Sequence, residues 1–292
     1  MAEKVTLQKN TQSVELEIRN ATVGPNVIDL KNLYQDTGCF TLDPSYSTTA
    51  SCESTITYID GAKGILEYRG YPIEQLAEHS TYLEIAYLLF NGELPTSSVV
   101  LDEFRSEVKQ NMTLPGNMDA IFSGFGKEAH PMSMLTTSVA ALSGSYHEGI
   151  NIRDKEHQKE FFFNILGKMP ILVANVFNHN QRDANVEYDE SLSYSENILR
   201  LFFGWQEEYE INPILSKALD ILLILHADHE QNCSTSSVRL TGSSGTNPYV
   251  AIAAGVAALW GPAHGGANEA VVRMFDEIGS KENIPQYIGK AK

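Results

Sequence analysis

The chain is poor in cysteine. Its three thiols, Cys39, Cys52 and Cys233, are an odd number scattered over 292 residues. They form neither a disulfide framework nor a CxxC metal pair, which fits a reducing cytoplasm better than a secreted scaffold. Positive charge is also scarce. Lys and Arg number 21 against 37 Asp and Glu, for a formal net charge of −16. That sign excludes nucleic acid as the main partner, because phosphate binding requires a basic face. It leaves room for a local basic pocket that takes anionic substrates. The opening M-A-E-K-V-T has no apolar run behind a basic segment, so no secretory signal is read. No stretch reads as long and apolar enough to span a membrane. Internal repeats and low-complexity tracts are absent too, and the expected location is cytoplasmic.

Apolar residues make up 42% of the chain, enough for a sizeable core in one large or two modest domains. In residues 1–20, Val14, Leu16 and Ile18 alternate with Glu15, Glu17 and Arg19, the period of a half-buried strand. Residues 21–50 are rich in turn signals. At 55–69, T-I-T-Y-I-D-G-A-K-G-I-L-E-Y-R sets Asp60-Gly61 and Gly64 between two alternating runs and reads as a β-hairpin. From Pro72 the period becomes helical. Ile73, Leu76 and Ala77, then Leu83, Ala86, Tyr87 and Phe90, mark two helices, the second stopped by Asn91-Gly92. Helical patterns follow over 100–112, 132–142, 160–177 and 194–203, with a polar loop at 178–190. The fold class is mainly α with a small N-terminal β segment and hairpin. Residues 1–50 read as a β-containing segment and residues 51–292 as one helical domain.

The densest chemistry lies between Asn212 and Arg273. Asn212-Pro213 starts a helix, with Asn as cap and Pro in the first turn, where its missing N–H is not needed. Apolar residues cover nearly every face, the pattern of a buried helix. It leads into His226-Ala227-Asp228-His229-Glu230, with His226 and His229 three apart on one helix face. Titratable groups at the edge of a core must be paired or used. The order H-A-D-H-E is neither H-E-x-x-H nor H-x-x-E-H, so no metal is expected. From spacing alone the rings read equally as hydrogen-bonded core histidines. A polar turn follows, in which Gly242-Ser243-Ser244-Gly245 reads first as a turn and second as an anion cradle. Asn247-Pro248 starts another helix, whose many Ala and Gly residues suit a closely packed helix of another subunit. Gly261-Pro262 stops it. His264 comes next, beside Gly265-Gly266, where backbone can approach something closely. It lies just before a helix opened by Asn268-Glu269. The positive end of that helix disfavours imidazolium, so the ring is expected to be a neutral hydrogen-bond donor.

H-A-D-H-E-Q-N, G-S-S-G-x-N-P and W-G-P-A-H-G-G-A-N-E-A together resemble citrate synthase, most nearly the bacterial type that forms hexamers and can be regulated by NADH. S-T-I-T-Y-I-D-G-A-K-G-I-L-E-Y-R-G-Y-P at 54–72, L-L-F-N-G-E-L-P-T at 88–96, H-P-M at 130–132 and K-M-P at 168–170 extend the resemblance over essentially the whole chain. It implies the family's large helical domain. It also implies an acyltransferase that condenses acetyl-CoA with oxaloacetate and water to citrate and CoA, at the entry to the tricarboxylic acid cycle. No metal or redox cofactor is implied, and acetyl-CoA is a substrate. The resemblance assigns His229 to oxaloacetate, with His226 in support. It assigns His264 to the thioester carbonyl of acetyl-CoA, where a donor stabilises the developing enol.

Two other readings stay open: 2-methylcitrate synthase, which takes propionyl-CoA, and a non-catalytic helical assembly module. The family pattern continues with a G-H-R-V-Y loop, a general-base aspartate, carboxylate-binding arginines and a smaller helical domain. None of these has a match before Lys292. The expectation is a chain truncated before its small domain, inactive alone, that builds homodimers toward a hexamer. NADH regulation is expected to be weak or absent. Of the basic residues that line the nucleotide site in regulated members, Lys109 and Lys168 remain, and Gln206 stands near where those members carry a cysteine.

Overall fold

The computed structural model describes residues 3–44, 46–179 and 186–291, so part of the polar loop expected at 178–190 lies outside the described residues. The β front begins with β1 (Lys4–Lys9) and β2 (Gln12–Arg19), paired antiparallel with Lys4 opposite Glu17 and Lys9 opposite Gln12. The strand expected across 1–20 is therefore two. Asn10 makes the turn at a φ of 55°, a left-handed conformation that Asn enters more readily than most residues. β3 (Val27–Ile28) pairs with β2, and α1 (Leu33–Thr37) follows. The expected hairpin is present as β4 (Thr57–Asp60) and β5 (Ile65–Tyr68), turned by Gly64 at a φ of 68°. β6 (Tyr71–Pro72) completes a sheet in the order β4-β5-β6, which leaves β4 at an edge.

The helices begin with α2 (Ile73–His79) and α3 (Tyr82–Asn91), the second ended by Gly92 as expected. They continue with α4 (Ser98–Gln110), α5 (Met118–Ser123), α6 (Pro131–Ala141), α7 (Lys155–Phe177) and α8 (Tyr194–Phe203). The last five are α9 (Pro213–Leu225), α10 (Cys233–Gly242), α11 (Pro248–Leu259), α12 (Gly266–Ile278) and α13 (Ile284–Ala291). Asn212 and Asn247 cap α9 and α11 through their side chains, each with Pro in the first turn, as their sequence predicts.

Of four buried apolar clusters among the described residues, two hold the elements around the histidines. One joins α5, α6, α7 and α11 through Met118, Met134, Val139, Leu172 and Tyr249. The other joins the hairpin, α2, α3 and the end of α9 through Tyr68, Ile73, Leu76, Ile85, Leu88 and Ile224. The Asp220 carboxylate on α9 fixes the second core's neighbours. It accepts from the Ser195 hydroxyl on α8 at 2.6 Å and from the Tyr82 N–H in the first turn of α3 at 3.2 Å.

Three expectations need correction. α9 is not buried all round: Ser216 and Ile224 are its buried residues, whereas Ile214 is 76% exposed and Leu215 and Leu222 also face solvent. Only the side that meets α2, α3 and α8 is covered. Second, the polar turn before α11 contains a helix, α10. Its sequence C-S-T-S-S-V-R-L-T-G is built of weak helix formers, and packing against α11 overrides that preference. Third, α7 has 23 residues and is long and apolar enough to cross a membrane by length and composition. Here it is a core helix, with Phe163, Asn164, Gly167, Lys168, Pro170, Leu172, Ala174 and Val176 buried.

Gly167 explains how α7 meets the end of α4. A Cβ there would lie 2.8 Å from both the Val108 carbonyl oxygen and the Asn111 carbonyl carbon, and backbone cannot step aside locally. Gly167→Ala should therefore lower stability by about 1–3 kcal/mol through overpacking, despite alanine's better helix propensity. Urea unfolding of the variant against wild type measures it, and an unchanged midpoint contradicts the tight contact.

Candidate functional site

α9 ends at Leu225, so His226 and His229 do not share a helix face. His226 is the C-terminal cap, and His229 lies in the loop beyond. The rings still lie near one another, 6.4 Å between centroids and 22° from parallel. His226 Nδ1 is 2.7 Å from the Leu222 carbonyl oxygen and His229 Nε2 is 2.9 Å from that of Leu225. A carbonyl oxygen only accepts, so each of those nitrogens carries its proton. The other nitrogen of each ring is left for a further partner, and both side chains are exposed.

His264 belongs to a different set of contacts. It sits in the tight loop between α11 and α12, immediately before the α12 N-cap Gly265, as its position predicts. The glycine pair has a structural cause. A Cβ on Gly265 would lie 2.6 Å from the Leu259 carbonyl oxygen, and one on Gly266 would lie 2.9 Å from those of Trp260 and Gly261. The backbone approaches the end of its own helix α11. Around this corner, His130 stacks on Trp260 at 4.6 Å, accepts from the Met132 N–H through Nδ1, and turns Nε2 to 3.7 Å from the Glu269 carboxylate. Arg273 donates to the same carboxylate.

The partner of the His264 ring is Ser234 on α10, with Oγ 2.8 Å from Nε2. The same hydroxyl lies 3.0 Å from the Gly255 carbonyl oxygen on α11. One hydroxyl proton can serve only one of them. Donated to Gly255, it leaves Oγ to accept from Nε2–H, and His264 Nδ1 is then a bare acceptor. Donated to Nε2, it makes Nδ1–H the free donor of a neutral ring. The direction of the Ser234 hydroxyl thus decides which tautomer of His264 is held. Sequence reading missed it because it lies within a helix read as a turn. Gly255 lets α10 come this close: a Cβ there would meet Val238 Cγ2 at 2.6 Å. Among the small residues of α11, Gly255 serves this contact within the chain. Gly242 closes α10 and Ser243-Ser244-Gly245 is the turn to α11, its hydroxyls donating to the Leu240 and Thr241 carbonyls, so a turn is present as first read.

A cavity of about 370 Å³ lies elsewhere, lined in part by Tyr146, His157, Glu160, Asn164 and Tyr249. Behind it, Lys168 is 2% exposed and donates to Asn164 Oδ1 at 2.7 Å and to the Asn111 carbonyl at 3.2 Å. Burial pulls its ammonium down to about 8.

The helical fold with its small β front, and the histidine loops at its helix ends, can now be set beside known proteins. The profile of the citrate synthase C-terminal domain matches residues 45–292. Citrate synthase from Thermotoga maritima is 30% identical, with a TM-score of 0.73 over 86% of this chain and 64% of that one. The enzyme from Pyrobaculum aerophilum is 30% identical, with a TM-score of 0.71 over 96% of this chain and 63% of that one. The enzyme from Thermoplasma acidophilum, solved as a ternary complex with carboxymethyl coenzyme A and oxaloacetate, is 29% identical. Its TM-score is 0.75 over 83% of this chain and 62% of that one. These are acyl-transferring enzymes of one fold. The chain belongs to the citrate synthase family, and it spans less than two thirds of the length of each of these relatives.

Gly255→Ala should push α10 away from α11 and separate Ser234 from His264. The ¹⁵N shifts of the His264 ring report its tautomer. They should move toward the mixture of a free imidazole and match those of Ser234→Ala, with a stability loss of about 1–3 kcal/mol. Unchanged ring shifts in a folded Gly255→Ala variant would show that the helix spacing does not control the ring.

Proposed function

We propose that this chain carries the substrate-holding histidines of a citrate synthase that condenses acetyl-CoA with oxaloacetate to citrate and CoA. The observation that carries the reading is the Ser234–His264 pair at the N-terminus of α12. Loss of a proton from the acetyl methyl places negative charge on the thioester oxygen. Nδ1–H of a neutral His264 can donate to that oxygen when the Ser234 hydroxyl donates to Nε2. A donor aimed at developing charge stabilises the transition state more than the ground state. His229 takes oxaloacetate and His226 supports it. With Nε2–H held on the Leu225 carbonyl, a hydrogen bond from His229 to an anionic ligand uses Nδ1–H. That makes the ring an imidazolium suited to a dicarboxylate. The Thermoplasma acidophilum relative, which binds oxaloacetate together with carboxymethyl coenzyme A, supports these two substrate classes.

The division near residue 50, with a β-containing segment ahead of the helical domain, and the bacterial hexameric type are part of this reading. The β1–β3 front supports the first. The exposed Ile214, Leu215 and Leu222 of α9 and Leu240 of α10, side chains that further copies of the chain would cover, support assembly.

Weak NADH control also belongs here. Lys109 Nζ donates to the Glu190 carbonyl at 2.6 Å, and Lys168 is buried on Asn164 and Asn111. Glu107, Glu156 and Glu160 line the neighbouring cleft with only Lys159 as a cation. That sign repels a pyrophosphate.

Two measurements follow. In a thiol-release assay on the full-length protein, acetyl-CoA and oxaloacetate should turn over, and His264→Ala should lower kcat by about 10²–10³-fold. Turnover unaffected by that substitution overturns the role of His264. NADH titrated into the same assay should leave the rate nearly unchanged, and strong inhibition would show that a cationic nucleotide site exists.

A further inference from the structure

We propose that the β4–β5 hairpin is the device that holds His229 in its binding position, with Tyr68 and Glu230 as positioning residues. This rests on the reading of His229 as an oxaloacetate ligand. The hairpin reaches the His229 loop from both sides. Tyr68, at the end of β5, is fully buried, and burial raises its phenol above its ordinary value, so it keeps its proton. Its O–H donates to the Ile224 carbonyl at 3.0 Å, and its oxygen accepts from the Asp228 N–H at 3.3 Å. One phenol thus spans the end of α9 and fixes the residue just before His229.

The residue just after it is fixed by the other strand. Glu230 Oε1 accepts from the Ile59 N–H of β4 at 2.9 Å, and the Glu230 N–H donates to Asp228 Oδ2 at 3.2 Å. Glu230 has a φ of 55°. A glutamate is costly in that left-handed region and persists there when its surroundings over-determine it. Here the surroundings are an edge-strand amide and a neighbouring carboxylate. His229 itself is exposed, and among the described residues its ring is tied to the end of α9 and stacked near His226. Its reach toward a ligand is therefore set by residues 228 and 230, and both are anchored to the hairpin. Neither Tyr68 nor Glu230 needs to touch substrate for this.

The test uses the full-length protein and separates substrate affinity from turnover. Calorimetry gives the Kd of oxaloacetate, and steady-state assays give kcat and the KM of each substrate. Each hydrogen bond lost should loosen the loop by an amount that reads as about a tenfold rise in oxaloacetate Kd and KM for Tyr68→Phe and for Glu230→Ala. The acetyl-CoA KM should stay within about twofold, because the Ser234–His264 pair does not depend on the hairpin. Glu230→Gln keeps an oxygen for the Ile59 N–H and should bind oxaloacetate like wild type. A general loss of stability would raise both KM values or lower kcat without this split. Glu230 is exposed, so its variants report even if Tyr68→Phe folds poorly. If Tyr68→Phe and Glu230→Ala bind oxaloacetate as wild type does while His229→Ala loses it, the hairpin is not the positioning device. If His229→Ala also binds normally, the reading of His229 falls, and this inference falls with it.

Discussion

One carboxylate in the middle of α9 sets the geometry on which the His226–His229 loop depends. Asp220 accepts from α8 through Ser195 and from the first turn of α3 through the Tyr82 N–H. An anion at a helix N-terminus is favourable because the free amides there carry partial positive charge. The contact locks α9 against α3 and α8, and Ile224, buried in the same core as Tyr68 and Leu88, then delivers the end of the helix to the hairpin. The exposed Ile214 and Leu222 show how narrow this attachment is. It is directed by a few polar contacts and a half-covered apolar stripe, without full burial.

How much of this could be read from residue order depends on the range of the interaction. Local rules were legible. Asn212-Pro213 and Asn247-Pro248 start helices, Gly92 and Gly64 turn the chain, and the 55–69 hairpin forms where its alternation places it. His264 lies before a helix N-terminus, as the order of glycines and Asn268-Glu269 suggests. Interactions decided by tertiary packing were not legible. α10 is helical because it rests on α11, and its Ser and Thr residues would not form a helix by propensity. Ser234 thereby reaches His264 from a segment that resembled a turn. Tyr68 and Asp228 are 160 residues apart, and no periodicity links them.

The glycines divide along the same line. Gly265-Gly266 looked like a place where backbone approaches something closely, and what it meets is the carbonyls at the end of its own preceding helix. Gly255, one of many small residues in an alanine-rich helix, carried no local signal. It is nevertheless where two helices come close enough for a hydroxyl to be shared between a carbonyl and a histidine. Glycine is informative once its neighbours in space are known, since its missing side chain matters only where something occupies that volume.

The Glu230 side chain on β4 has a consequence beyond the loop it belongs to. β4 is the outer strand of its sheet, and an outer strand with free amides is a template on which another chain can lay a strand of its own. A carboxylate bound to the Ile59 N–H occupies one of those amides and places negative charge along that border. The same contact therefore shields the sheet from self-association through open edges, in a chain whose net charge of −16 already sets copies against one another.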